Sequence, residues 1–139
     1  MRKLSVLVFA LVAMLAVGGI AANAAKKEKV KSKVTLNFKS GPAGGGDPYY
    51  EEAVFRGKVS TKGKASKKAK KKCKRGRTVV VKRVNGGKFG QDKTNKQGKY
   101  VISASDAYNE PGKYKATVKR KKKGKIICKK ATSRAARAF

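Results

Sequence analysis

The chain is 139 residues long and carries 38 Lys or Arg against 7 Asp or Glu, a formal net charge of +31 at pH 7. It contains no histidine, which excludes Ser-His-Asp and Cys-His nucleophile systems and removes the usual imidazole metal ligands. A charge of one sign on this scale opposes compaction and favours anionic partners.

The chain opens on Met1-Arg2-Lys3, followed by an unbroken apolar run from Val6 to Val17, a Gly18-Gly19 break and the small residues Ala22-Asn23-Ala24. A positive start, an apolar run and an A-x-A site form the pattern of a secretory signal peptide, and here they predict cleavage after Ala24. The alternative is an uncleaved membrane anchor, for which the apolar run is short. Loss of Arg2 and Lys3 with the leader leaves 36 basic residues against 7 acidic ones, a formal +29 over Ala25 to Phe139. In a secreted chain the two cysteines, Cys73 and Cys128, are expected to pair as one disulfide. They are far apart in sequence and form no Cys-x-x-Cys, so no redox or metal role is expected.

Val30, Ser32, Val34, Leu36 and Phe38 fall on alternate positions between lysines and Thr35. That period of two predicts a strand with one buried face. The Gly/Pro-rich segment from Gly41 to Pro48 reads as a flexible connection, and Ala53, Phe55, Gly57 and Val59 alternate again as a second strand. The basic stretch from Lys62 to Arg77 has a helix-like Ala-Lys composition, but like charges three and four apart oppose a helix. An extended, solvated loop is the expectation there.

Thr78 to Val84 is β-branched on both faces, as a central strand requires, and Asn85-Gly86-Gly87 is a hairpin turn. Phe89 starts a short strand before the turn at Thr94 to Gly98, and Tyr100-Val101-Ile102 is the next strand. Pro111-Gly112 leads into the alternating Tyr114, Ala116 and Val118, and Lys119 to Lys125 forms a charged hairpin tip before Ile126-Ile127-Cys128. The tail lacks a repeating apolar pattern and is expected to fray.

About seven short strands, with turn signals close to every ten residues, predict an all-β fold, a small antiparallel Greek-key β-sandwich. The expected organisation is a signal peptide over 1–24, an N-terminal strand and Gly/Pro-rich linker over 25–52, the sandwich over 53–131 and a flexible tail over 132–139.

The residues Thr94-x-x-x-Gly98-x-Tyr100 and Pro111-Gly112-x-Tyr114-x-Ala116-x-Val118 resemble the T-D-x-x-G-x-Y and P-G-x-Y-x-V-x-V pattern of carboxypeptidase regulatory-like domains. Those are transthyretin-like (prealbumin-like) β-sandwiches, here of a secreted bacterial type. Phe55-x-Gly57-x-Val59-Ser60 and Arg77-x-Val79-x-Val81 also look like that family's first strands, so the likeness covers about Ala53 to Ala131. It implies the same sandwich and an accessory, adhesive or stalk role, without naming a ligand. Asn95 departs from the family's usual Asp. Related bacterial surface sandwiches sometimes carry a Lys–Asn isopeptide bond with its acceptor on the last strand; no Asn or Asp follows Asn109, so none is expected here.

No Ser-x-x-Lys spacing supports a Ser-Lys dyad. The seven carboxylates mostly fall in predicted turns among lysines, which hold carboxyl pKa values low and so disfavour a general acid. The one acidic segment, Asp47 to Glu52, offers too few oxygens for calcium. The chain is expected to be non-catalytic, with no metal and no small-molecule cofactor.

What remains is cation density. Eleven Lys or Arg lie between Lys58 and Arg77, and ten between Lys113 and Lys130, with no acid in either run. A Cys73–Cys128 bond would gather Lys67, Lys68, Lys70, Lys71, Lys72, Lys74, Arg75, Lys119, Arg120, Lys121, Lys122 and Lys123 at one pole. Crowded like charges are relieved by a polyanion, with binding that weakens steeply in salt. Lysines act as flexible point charges, and few aromatics interleave them, so non-specific binding is expected. The expected partners are anionic cell-envelope polymers or acidic polysaccharides, with extracellular DNA and anionic lipid surfaces as further candidates. The rival readings are a structural module whose lysines only solvate it, and a cationic membrane-active protein, against which stands the lack of an amphipathic helix in the mature chain. A remoter one is a glycan module using Tyr49 and Tyr50.

Overall fold

The computed structural model describes residues 26–42, 51–104 and 111–138. The predicted leader, the greater part of the Gly/Pro-rich connection, Tyr49 and Tyr50 lie outside the described residues.

Period-two alternation builds the first sheet. Strands β1 (Glu28–Val34) and β2 (Asn37–Pro42) follow one another along β3 (Glu51–Lys62) in a single antiparallel register, from Lys31 opposite Lys62 to Pro42 opposite Glu51. Val30, Val34 and Leu36 are buried and Phe38 is half-buried, as the alternation predicts. The ladder is interrupted at Thr35, whose hydroxyl accepts from the Lys58 amide at 3.0 Å and whose carbonyl accepts from the Tyr100 hydroxyl at 2.5 Å. Burial pushes the Tyr100 pKa up and keeps it a donor. Gly57 makes this possible, since a Cβ there would collide with the Thr35 carbonyl and the Tyr100 hydroxyl.

The second sheet is centred on β4 (Thr78–Arg83), with β5 (Lys88–Lys93) on one edge. The hairpin between them turns at Asn85, the described non-glycine residue with positive φ, 64°. Strand β6 (Lys99–Ala104) returns to the first sheet against β3. Strand β7 (Gly112–Val118) then pairs with β4, placing Val79 opposite Val118. The chain crosses back once more: β8 (Lys121–Lys123) and β9 (Ile126–Cys128) extend the first sheet beyond β1.

Twelve buried residues form the core between the sheets. Val34, Leu36, Phe55, Val59, Tyr100 and Ile102 come from the first sheet and its linking residues, and Val79, Val81, Tyr114, Ala116, Val118 and Ala138 from the second. Phe55 sits at its centre, with ring centroids 4.7 Å from Phe89, 4.9 Å from Tyr114 and 5.1 Å from Phe38. The architecture is an all-β sandwich, as the strand pattern predicts.

Four details differ from that pattern. Eleven strands rather than about seven occur among the described residues, because the first strand is split into β1 and β2, the charged hairpin tip contributes β8, and the tail contributes two short strands. The pairing of β1 with β9 is parallel, Val30 opposite Cys128, within an otherwise antiparallel arrangement. Strand β2 runs on through Gly41 and Pro42 instead of ending before them. The tail does not fray: β10 (Ala131–Thr132) and β11 (Ala136–Ala138) both pair with β7, bridged by Ser133, whose hydroxyl accepts from the Ala116 amide at 3.0 Å. Small residues close this edge, and they leave no apolar signature in the sequence.

The basic stretch also needs correction. Lys67–Lys74 is a helix, α1, not an extended loop. The Ser66 hydroxyl caps it by accepting from the Ala69 amide at 3.1 Å. The Glu28 carboxylate in turn accepts from the Ser66 amide and hydroxyl, which places a negative charge at the positive end of the helix dipole. Ala69 and Cys73, four apart, form a buried face against Val30 and Cys128. Tertiary anchoring at these positions outweighs the few tenths of a kcal/mol per pair that like-charge repulsion costs.

Candidate anion-binding pole

Cys73 and Cys128 are joined by a disulfide with a Cα separation of 5.4 Å. The bond fastens α1 to β9 and so brings the two lysine runs to one end of the sandwich. Arg77, fully buried, fixes the same end from inside. Its guanidinium donates to the carbonyls of Cys73 at 2.9 Å, Lys119 at 2.7 Å and Lys129 at 3.0 Å, and to the Ser32 hydroxyl at 3.1 Å. These partners lie on α1, after β7, after β9 and on β1, so one side chain links four segments. Burial lowers the Arg77 pKa to about 10, which leaves it a cation at neutral pH.

Thr94 completes the frame. Its hydroxyl accepts from the Arg77 amide at 2.9 Å and donates to the Lys74 carbonyl at 2.6 Å. The last carbonyls of α1 are thereby occupied by Arg77 and Thr94. The following turn is held by the Asn95 side-chain oxygen, which accepts from the amides of Gln97 and Lys99, each at 2.9 Å. Gly98 has φ 83° and packs where a Cβ would strike the Val59 carbonyl. A rigid turn therefore presents Lys96 beside α1.

Three cation-lined cavities result. One, of about 380 Å³, is lined by Lys72, Arg75, Gly76, Thr94, Asn95, Lys96, Lys121 and Lys123. A second, of about 520 Å³, is lined by Lys58, Lys67, Lys70, Lys71, Lys74, Lys96 and Gln97. Lys96 belongs to both. The third, of about 470 Å³, lies on the outer face of the second sheet, beside Val80 and between Lys82, Lys88, Lys119, Arg120 and Lys130. Among the described residues no carboxylate lines any of the three.

The charges are felt most at Lys121. Its ammonium donates to the Gly76 carbonyl at 2.6 Å. Its pKa is lowered, first by desolvation and then by Lys123, Arg77, Lys93 and Arg75.

Of the residues singled out in the sequence, Lys72, Arg75, Lys121 and Lys123 share one cavity, and Lys67, Lys70, Lys71 and Lys74 the next. Lys119 and Arg120 diverge from their neighbours into the third. Lys68 and Lys122 are exposed and line none of these cavities. Lys96 and Lys58, together with Thr94, Asn95 and Gln97, are not among the pole residues that the sequence singles out. They lie outside the α1 and β7–β8 segments from which the pole was drawn, and only the folding of the 94–98 turn against α1 brings them in. Comparison with protein-family models, with curated proteins and with solved structures finds no match to the chain.

Proposed function

We propose that this protein is a secreted, non-catalytic β-sandwich module that attaches by charge to anionic polymers at or near the cell envelope. The observation that carries this reading is the pair of adjoining cavities beside α1, lined by lysines and Arg75 with no carboxylate among the described lining residues. Holding those ammonium groups together costs Coulomb energy, which a polyanion returns while releasing its own counterions. The leader pattern of residues 1–24 supports an extracytoplasmic setting for such a partner. The proposed domain type is the carboxypeptidase regulatory-like, transthyretin-like sandwich. Thr94, Asn95, Gly98 and Tyr100, four positions of the resembling pattern, all have structural roles in the turn and core, which is what a fold-defining motif requires.

The test is binding of the oxidised protein to a panel of anionic polymers across a salt series. The expected result is a linear fall of log affinity with log salt, with a slope that counts the phosphates or carboxylates neutralised. Absence of binding at low ionic strength would leave the lysines as solvation and refute the proposal.

A further inference from the structure

We infer that the two cavities joined by Lys96 form one groove whose ligand is a flexible, linear phosphate polymer, with successive phosphate groups entering the cavities on either side of the Lys96 side chain. This rests on the polyanion reading above and assigns its site and its chemical class. Three observations lead to it.

The first is the nature of the lining. Ammonium groups predominate, with Arg75 the one guanidinium. An ammonium rewards charge density and imposes little directional geometry, whereas planar bidentate recognition belongs to arginine. A phosphate chain carries a charge on every repeat and so releases many counterions per unit length. A glycan with one carboxylate every second sugar offers far less, and among the described residues no aromatic side chain lines either cavity to stack on its rings.

The second is pre-organisation. The walls are backbone-fixed by the Cys73–Cys128 bond, by Arg77 and by the Thr94–Asn95 turn. Rigid walls reduce the ordering cost of binding. The outer-face cavity near Val80 is a single compartment with five cationic residues. The groove beside α1 holds two compartments that share Lys96. A flexible chain can occupy both at once and gain the effective concentration of a second intramolecular contact, which a free phosphate cannot. Duplex DNA presents its phosphates on a stiff convex surface that does not enter separate concavities.

The third is Asn95. It lines the cavity that also holds Lys121, and its side-chain oxygen supports the turn by accepting hydrogen bonds, a task a carboxylate performs equally well. Keeping an amide here leaves the turn intact and the cavity free of negative charge. Lys121, desolvated by burial and also crowded by Lys123, Arg77, Lys93 and Arg75, lines the same cavity, where an incoming oxyanion would offset the repulsion.

The experiment uses the full chain with its disulfide formed, and two substitutions that each add one negative charge with almost no change of shape. Asn95→Asp places it in the groove. Gln91→Glu places it in the outer-face cavity, where the Gln91 side-chain oxygen already accepts from Lys88 at 2.9 Å. The probes are orthophosphate, tripolyphosphate, long-chain polyphosphate, hyaluronate and duplex DNA near physiological ionic strength.

Long-chain polyphosphate is expected to bind more tightly than every other probe. Asn95→Asp should weaken it about tenfold and Gln91→Glu by no more than about twofold. Lys96→Gln should match Asn95→Asp and abolish most of the advantage of the long chain over tripolyphosphate. Equal losses from Asn95→Asp and Gln91→Glu would mean that net charge, not the groove, governs binding, and would overturn the site while leaving the polyanion reading standing. Equal or tighter binding of hyaluronate or duplex DNA would overturn the phosphate-chain assignment. Failure of every polymer to bind at low salt would refute both.

Discussion

Cutting the Cys73–Cys128 bond is the perturbation that bears most directly on the cationic pole. The bond spans a sequence separation of 55 residues. In the chain-entropy description, freeing a loop of that length from the unfolded chain costs the native state about 4 kcal/mol at 25 °C. The structure shows where the loss falls. Helix α1 covers only Lys67–Lys74, too short to persist alone in water, and its apolar anchors are Ala69 and Cys73 against Val30 and Cys128. The core between the sheets contains no residue of α1. A Cys73→Ala/Cys128→Ala variant should therefore release α1 before the sandwich opens. Urea unfolding followed by tyrosine fluorescence gives the global term, with a loss approaching about 4 kcal/mol. Amide exchange gives the local one: protection at Cys73 and Lys74 should collapse, while Val79, Val81 and Ala116 stay protected to near the global limit. If the α1 amides of the variant still exchange only through global unfolding, the disulfide is not what holds the helix, and the reasoning fails.

Other outcomes follow from the same geometry. Arg77→Met should cost about 3 kcal/mol in chemical denaturation, because the buried Cys73 carbonyl, two half-buried carbonyls and the Ser32 hydroxyl lose a charged donor; Arg77→Lys should recover less than half, since an ammonium lacks the planar fork. Gly57→Ala should destabilise by more than about 3 kcal/mol or prevent folding, since the Thr35 carbonyl it would strike is backbone and cannot turn aside. Thermal melts of purified variants check both. Lys121 gives a pH signature. Its folded-state pKa lies below the ordinary 10.5, so the unfolded chain binds more protons in the alkaline window between the two values. Stability from this group should rise with pH there, and a Lys121→Gln variant should lose that rise in parallel titrations.

The sandwich was legible because its strands announce themselves by alternation. Val30 to Phe38 kept one inward face even through the interruption at Thr35, and Tyr100 and Tyr114 fell on core positions as their spacing requires. The pairing of the strand at Thr78 with the strand ending at Val118 is the one a Greek-key sandwich requires. What stayed hidden depends on contacts distant in sequence. Helix α1 is stabilised by a cap whose charge comes from Glu28, thirty-eight residues before Ser66, and by a disulfide partner beyond β8. Ser133 and Ala138 complete a sheet edge without large apolar side chains. Lys96 was one lysine among many until the 94–98 turn folded against α1. Local charge repulsion is a real cost at α1, but the burial of Ala69 and Cys73 exceeds it.

Strand β8 ends its sheet and consists of Lys121, Lys122 and Lys123. An open sheet edge is a template on which another copy of a chain can lay a strand. Here any copy approaching that edge would set its own three ammonium groups against three others, so self-templating is opposed where the backbone is most available for it. Alternation along so short a strand sends Lys121 and Lys123 to one side and Lys122 to the other, and the first two line the groove beside α1. Two of the residues that guard the molecule against its own copies, Lys121 and Lys123, are thus also walls of the groove. Sequence change at β8 is constrained twice over: trimming its charge to alter what the groove holds would also unblock the edge.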